Sequence, residues 1–166
     1  ELAPGLRISW AIADPAMIEA LSAAKQGTDM FSSGLCQMVT ALAFERGVPE
    51  AIRPHILSMY RARRDALCAA METHLSDWFT WEKPEGGMFV WVTLPEGMDG
   101  AELLAASLKH ENVAFVPGKA FFADGSGANT LRLSFSCANE SQINEGISRL
   151  GRAVRHMQGG TAKIGS

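Results

Sequence analysis

The sequence predicts an α/β protein whose second half is a compact α+β domain. Apolar residues recur at helical spacing over Pro54–Leu75, and short strand patterns then alternate with two further helical patterns. The order after the long helix is therefore β-β-α-β-β-α. The residues before it supply only one strand and two helices, which cannot cover both faces of a sheet. We therefore expect the first part to belong to a larger layer.

The first part begins with the predicted buried strand LRISWAI, residues 6–12. Asp14 and Pro15 then form a favoured pair for the N-cap and the first residue of a helix, which Gly27 is expected to end. The next apolar pattern at helical spacing predicts a second helix that begins near Ser32 or Ser33.

The second part carries four strand patterns, at residues 79–83, 88–94, 113–116 and 131–136. A short Pro/Gly segment joins the first two, which predicts an antiparallel hairpin. Two capping-box pairs predict where the two helices begin: Asp99 with Glu102, and Asn139 with Gln142.

Composition excludes several classes of function. A net charge of −3 over 166 residues leaves no broad basic surface, which argues against nucleic-acid binding through this segment. No apolar run approaches the roughly 18 residues that a membrane-spanning helix needs. The 3 cysteines and 4 histidines are scattered without metal-ligand spacing, so no metal is expected. Free, buried thiols in a cytoplasmic protein are the simplest interpretation.

Two arginines stand out because apolar residues surround them. In the strand pattern Leu131–Ser136, the apolar side chains face one way, while Arg132 and two serines face the other. A guanidinium placed so is suited to hold a carboxylate by two parallel hydrogen bonds. A surface arginine on an edge strand, or one paired with an internal acid, is the simpler alternative. Arg7 follows a Pro-Gly turn, where a phosphate, a carboxylate or an ordinary ion pair are all possible partners.

Two further features allow both a structural and a functional interpretation. Gly86 and Gly87 precede a strand, where glycine either lets a flat ligand or another backbone approach or simply forms a hairpin turn. Three arginines cluster on the long helix, namely Arg61, Arg63 and Arg64. For these we expect a solvated helix face with local ion pairs rather than a phosphate contact.

Five segments, in order, resemble the C-terminal part of PLP-dependent aminotransferases of fold type I, class I/II. They are ELAPGLRISW, YRARRD, PEGGMFVW, VPG with the following Phe121, and NTLRLSFS, and the resemblance runs from residue 1 to about residue 154. The chain is similar to the branch that contains the 2-aminoadipate and kynurenine aminotransferases and the aminotransferase-like domains of MocR regulators. The resemblance implies the C-terminal small domain of this fold with a remnant of the large domain.

The resemblance also implies roles for single residues. Arg7 would bind the phosphate of pyridoxal 5'-phosphate, and Arg132 would bind the α-carboxylate of the substrate. Gly86 and Gly87 would bring a strand of the small domain close to the substrate channel. The Schiff-base lysine of the family would precede Glu1, so we expect no catalytic residue in this chain and no activity from the segment alone.

The organisation implied by the resemblance has four parts. Residues 1–48 would end the large PLP-binding domain, 49–76 would form an interdomain helix, 77–158 the small α/β domain and 159–166 a flexible tail. The full-length protein would be a cytoplasmic homodimer that moves an amino group between an α-amino acid and a 2-oxo acid. One alternative is the effector-sensing domain of a MocR/GntR-type transcriptional regulator, and another is a stand-alone small α/β interaction domain.

Overall fold

A computed structural model describes residues 3–161 of the chain, with side chains through residue 158. The chain divides between Leu57 and Ser58 into two compact units. The regular elements, in chain order, are a 3₁₀ helix at Pro4–Leu6, α1 at Pro15–Thr28, α2 at Gly34–Glu45, α3 at Val48–Leu75, β1 at Thr80–Trp81, β2 at Phe89–Thr93, α4 at Gly100–Glu111, β3 at Val116–Pro117, a second 3₁₀ helix at Gly118–Phe121, β4 at Thr130–Ser134 and α5 at Glu140–Thr161.

Both helices of the first unit begin where the sequence predicts. The Asp14 carboxylate accepts a hydrogen bond from Ala16 N at 3.0 Å, and α1 starts at the following proline. The Ser33 hydroxyl caps α2 by accepting from Cys36 N at 3.4 Å. The predicted end of α1 is slightly wrong, because the helix continues past Gly27 to Thr28.

The predicted buried strand at residues 6–12 is wrong. This segment has no strand geometry, and Ile12 is 93% exposed. A strand needs a hydrogen-bonded neighbour, and the described residues of the first unit supply none. Many apolar side chains of this unit are also exposed, among them Trp10, Met30, Phe31, Leu35 and Met38.

The long helix begins earlier than predicted. It starts at Val48 rather than at Pro54, so that Pro54 lies inside it. Proline favours the first helical turn because its missing N–H would have no intrahelical partner there. Pro49 lies in the first turn and meets that preference, whereas Pro54, which the sequence suggests as the start, lies one turn further on.

The second unit contains a four-stranded sheet in the order β1-β2-β4-β3, in which every neighbouring pair is antiparallel. Pairing of Thr80 with Thr93 and of Trp81 with Val92 confirms the predicted hairpin. β4 is a central strand, and its Arg132 lies opposite Trp91 of β2. The strand predicted at 113–116 is mostly wrong, because the observed strand is Val116–Pro117 and shares only Val116 with it.

One face of the sheet carries the hydrophobic core. The strands contribute inward-facing side chains at alternate positions, namely Val90, Val92, Leu131 and Leu133. The helices α3, α4 and α5 cover this face with buried residues that include Met71, Leu75, Leu103, Ile143, Ile147, Leu150 and Val154. The predicted alternation of β4 is therefore confirmed, and the buried residues of α5 recur at intervals of three or four. Since the helices lie on one side only, the other residues of β2 and β4 face outward.

The predicted caps of the two later helices are present in different degrees. Gln142 N donates to Asn139 Oδ1 at 2.9 Å, and Asn139 N donates to Gln142 Oε1 at 3.0 Å, which is a complete capping box. Asp99 accepts from the backbone N–H of Ala101 at 2.6 Å and caps α4. The backbone of α5 stays helical to Thr161, and positions 162–166 of the expected tail lie outside the described residues.

The sequence predicts a solvated face for the arginine cluster of α3, and this prediction is only partly correct. Arg63 Nη1 donates a hydrogen bond to the carbonyl of Ser136, just beyond β4. Arg64, whose side chain is only 17% exposed, donates to the carbonyl of Pro84 at 3.2 Å. Two of the three arginines therefore bind the helix to backbone carbonyls far along the chain, while Arg61 is exposed.

A carboxylate on α3 holds the start of the Pro-Glu-Gly-Gly turn. Asp65 Oδ1 accepts from Lys83 Nζ at 2.8 Å and from Arg64 Nη2 at 2.8 Å. These hydrogen bonds, first from Lys83 and then from Arg64, hold the pKa of Asp65 below its ordinary value of 3.8. The ion pair fixes the strand end from which the chain turns towards β2.

Gly118 lies where a side chain has no room. A methyl group there would overlap the Thr130 hydroxyl and lie 2.9 Å from Cζ2 of Trp91. We predict that Gly118→Ala lowers the free energy of unfolding by about 1–3 kcal/mol, the usual cost of overpacking. Urea denaturation of the full-length protein measures it. Gly86→Ala is the matched control, because a methyl group there meets nothing within 4 Å, and equal destabilisation by both variants would contradict the explanation.

The lowered pKa of Asp65 predicts a pH-dependent contribution to stability. The carboxylate is more acidic in the folded chain, so its contribution is complete well above pH 3.8 and is lost as the pH falls through the folded-state pKa. We expect Asp65→Asn to destabilise the protein at pH 7 and to have a smaller effect at pH 3, as measured by urea unfolding. Asp77→Asn, at an exposed position with no recorded ion pair among the described residues, is the control. An effect of Asp65→Asn that is equal at both pH values would contradict the prediction.

Candidate functional site

Arg132 lies at the middle of β4, on the sheet face opposite the helices. The residues on either side, Leu131 and Leu133, are buried in the core, so the strand pleat directs Arg132 outward. β2 and β3 flank the strand and place Trp91 and Val116 opposite Arg132. The alternative of an edge-strand arginine is therefore wrong, because β4 is paired on both sides.

Two phenyl rings lie against the guanidinium of Arg132. Its Cζ atom is 4.0 Å from the centroid of the Phe89 ring and 4.6 Å from that of Phe121. Phe89 belongs to β2, while Phe121 ends the 3₁₀ helix that follows β3. Phe89 therefore reaches Arg132 from the neighbouring strand, and Phe121 reaches it from the segment that follows β3. We call Phe89 and Phe121 the phenylalanine clamp.

The guanidinium of Arg132 contacts phenyl rings rather than hydrogen-bond acceptors. Its Nε atom is buried and has no hydrogen-bond partner among the described residues. The arginines with a recorded ion pair in the described part of the chain are Arg53, Arg64, Arg149 and Arg152, not Arg132. A buried donor without a partner costs about 1–3 kcal/mol, so the fold keeps this side chain in place at a cost. The Nη atoms of Arg132 are not among the buried unpaired atoms and are the donors that an anion can reach. The arrangement is therefore competent to bind a planar anion with two oxygens.

Arg7 belongs to the first unit and is described there by itself. It follows the 3₁₀ helix Pro4–Leu6 with a left-handed backbone at φ 56° and ψ 33°, a conformation uncommon for a residue other than glycine. Its side chain is exposed, and Nη1 lies 3.5 Å from the carbonyl of Pro4, a long and weak hydrogen bond. The structure thus presents a cation on a tight turn, although not beside the strand that the sequence predicts.

Gly86 and Gly87 lie in the exposed turn before β2. A methyl group at either position would meet nothing within 4 Å, so within the described unit no backbone approaches them closely. Gly87 has φ 80°, a conformation that favours glycine in a turn. Backbone geometry alone accounts for the second glycine, and the space around both remains open.

The phenylalanine clamp is what the sequence analysis missed. The alternation of FVWVT places Phe89 and Trp91 on one face, and this signal was available once β2 had been aligned with β4. Phe121 lies in a short 3₁₀ helix, for which no period-two or helical pattern exists. Pairing it with Arg132 required the tertiary structure.

Cysteines, metals and membranes add little to the site. In residues 3–161 no group of three or more His, Cys, Asp or Glu side chains could hold a metal ion. Cys36, Cys68 and Cys137 are free thiols, but Cys36 and Cys68 are only partly buried and Cys137 is exposed, which corrects the expectation of buried thiols. None of the described helices has the length and apolar character needed to cross a bilayer.

Comparison with known proteins identifies the family. A family model described as aminotransferase class I and II matches residues 2–150. The chain is 43% identical over 154 residues to aromatic-amino-acid aminotransferase 1 of Thermococcus litoralis, a match that covers 93% of this chain and 37% of that protein. It is also 33% identical over 156 residues to an uncharacterised HTH-type transcriptional regulator, YdfD of Bacillus subtilis, covering 94% of this chain and 32% of that protein.

A solved structure agrees with the sequence match. LysN, the α-aminoadipate aminotransferase of Thermus thermophilus complexed with N-(5'-phosphopyridoxyl)-L-leucine, matches with a TM-score of 0.80 at 38% identity, covering 94% of this chain and 40% of that one. The chain therefore spans less than half the length of these relatives, and the fold implied by the resemblance is confirmed. Because the family model covers nearly the whole chain and the structures agree, the chain belongs to the class I and II aminotransferase family.

Proposed function

We propose that the full-length protein is a pyridoxal 5'-phosphate-dependent aminotransferase that moves an amino group between an α-amino acid and a 2-oxo acid. The observation that carries the proposal is the unpaired, half-buried guanidinium of Arg132. A carboxylate offers two in-plane oxygens to the parallel donors of one guanidinium edge. Every α-amino acid and every 2-oxo acid carries such a group, so one arginine serves both substrates.

Arg7 fits the phosphate of the cofactor that the family implies. Its guanidinium is exposed, and its recorded hydrogen bond, to the Pro4 carbonyl, is long. A phosphate dianion would gain charge-assisted hydrogen bonds there with little competition from the protein. When bound, pyridoxal phosphate supplies an electron-withdrawing ring that weakens the Cα–H bond of the substrate.

The proposed task of Arg132 is to orient the substrate. Two parallel hydrogen bonds fix the plane of the carboxylate and the position of the Cα atom attached to it, which lowers the entropic part of the barrier. Gly86 and Gly87 are proposed to let β2 approach the substrate channel, and the open space around both glycines supports this role.

The proposed organisation follows the resemblance. Residues 1–48 would complete the large domain, 49–76 would link it to the small domain at 77–158, and 159–166 would form the tail. The full-length protein is proposed to be a homodimer, which sedimentation equilibrium would measure. The three free thiols favour a reducing compartment such as the cytoplasm.

A sensor domain of a MocR/GntR-type transcriptional regulator is the second candidate. The observation in its favour is the match to YdfD of Bacillus subtilis over 94% of this chain. The two candidates differ in what else the full-length protein carries. Determining its complete sequence and testing retardation of its own promoter DNA in a gel would separate them.

Arg132→Ala should reduce kcat/KM for amino-group transfer by about a hundredfold or more, because two charge-assisted hydrogen bonds are each worth roughly 1.5–3 kcal/mol. The kcat/KM of Arg132→Lys should lie between those of the wild type and Arg132→Ala, since lysine keeps the charge but cannot form two parallel hydrogen bonds. The measurement uses the full-length protein with an aromatic amino acid and with 2-aminoadipate as donors. Arg149→Ala, which removes an exposed helix ion pair, is the control. Wild-type kcat/KM in Arg132→Ala would remove the assignment.

Arg7→Ala should weaken binding of pyridoxal 5'-phosphate by about tenfold, since a charge-assisted contact to phosphate is lost. Fluorescence titration of the apo full-length protein gives the Kd directly. Lys25→Ala serves as the control, because this lysine is exposed in the same unit and pairs with Asp29. Equal losses in both variants would show a general charge effect and contradict a specific site at Arg7.

A further inference from the structure

We propose that Phe89 and Phe121 are positioning residues that hold the guanidinium of Arg132 in one plane, so that only its edge is open to a carboxylate. The inference rests on the proposed function, because it concerns how Arg132 binds its substrate. It adds that an aromatic clamp, rather than hydrogen bonds within the protein, sets the orientation of the binding group.

The sheet register brings the first ring to Arg132. Phe89 is paired with Ser134, two residues beyond Arg132 on β4, so Phe89 and Arg132 are diagonal neighbours on the same face. Diagonal neighbours in an antiparallel pair lie within reach when one is aromatic and the other long. The distance of 4.0 Å from Cζ to the ring centroid is that of direct stacking.

The second ring is held in place from behind. Phe121 meets Trp91 edge to face, with ring centroids 5.6 Å apart and an interplanar angle of 80°. Trp91 in turn lies over Gly118, where the absence of a side chain makes room for its ring. The order of contacts is therefore Gly118, Trp91, Phe121 and Arg132. Packing against Trp91 holds the ring of Phe121 in position although Phe121 is partly exposed.

The clamp explains why Arg132 can stay unpaired. A conformationally free arginine would turn its donors to water or to a carbonyl, yet Nε is buried without a partner among the described residues. A cation over an aromatic face gains about 0.5–2 kcal/mol, which offsets part of that cost. Ring contacts carry no hydrogen-bond acceptor in the guanidinium plane. The in-plane N–H groups of the two Nη atoms, which are not among the buried unpaired atoms, therefore remain available to a ligand.

This geometry predicts which ligands are accepted. Rings lie over the guanidinium, so an anion approaches in its plane, where a flat carboxylate forms two parallel hydrogen bonds. An uncharged group of the same shape gains no such pair. The rings should therefore affect carboxylate binding much more than binding of a neutral analogue.

The test compares 3-phenylpropionate with 3-phenylpropionamide, bound to the full-length holo-protein and measured by isothermal titration calorimetry. Phe89→Leu and Phe121→Leu remove a ring at similar volume. Each should weaken binding of the carboxylate by about five- to tenfold and change binding of the amide less than about twofold. Phe89→Tyr retains the ring and should restore carboxylate binding to near the wild-type level.

Phe122→Leu is the matched control, because Phe122 contacts Trp91 at 6.0 Å and is as exposed as Phe89, while the recorded ring contacts of Arg132 are with Phe89 and Phe121. Equal weakening of both probes by the leucine variants would make the rings a plain apolar wall and overturn the proposal. No change in either probe would overturn it as well. If Arg132→Ala lowers carboxylate affinity and the leucine variants do not, the clamp alone fails. If Arg132→Ala has no effect, the assignment of Arg132 fails first.

Discussion

The burial of Leu131 and Leu133 against the helices is the constraint on which the site depends. Side chains alternate along a strand, so packing these leucines in the core leaves Arg132 only the opposite face. A slip of one residue would bury the guanidinium and expose both leucines. Burial of the two leucines therefore determines the sheet face on which the guanidinium lies, independently of the contacts that the guanidinium makes there.

Helix attachment serves the same geometry. Arg63 and Arg64 donate hydrogen bonds from α3 to carbonyls beside β4 and before β2, the two strands that carry Arg132 and Phe89. Guanidinium groups that reach backbone carbonyls fix strand ends rather than side chains, which makes the attachment insensitive to the residues of the turn. Hydrogen bonds from α3 thus fix the segments next to both central strands of the sheet, β2 and β4.

The sequence predicted those features that local chemistry determines. The Asp14 cap, the Asn139–Gln142 capping box and the period-two pattern of Leu131–Ser136 each depend on residues close together in the chain. The fold family followed from five ordered segments. The failures depend on distant residues: LRISWAI has the composition of a strand but no described neighbour with which to pair, and Pro54 competed with Pro49 for the start of a helix.

The candidate site divides in the same way. Arg132 was predicted as a site residue because a lone cation occupies a polar position of an apolar–polar alternation. Its phenyl partners were not predicted, since Phe121 reaches it from an irregular segment. The unpaired Nε could not be predicted from the sequence, because it requires that no neighbouring element places a hydrogen-bond acceptor beside it.

The outer strands of the sheet have a consequence for association. β1 and β3 are each 2 residues long, and β3 ends in Pro117, which has no N–H to donate. An edge this short offers few free backbone groups to an incoming strand, and proline removes one more. The sheet of the second unit is therefore poorly suited to growth by strand addition, and edge-to-edge aggregation through it is disfavoured even while its aromatic face stays exposed.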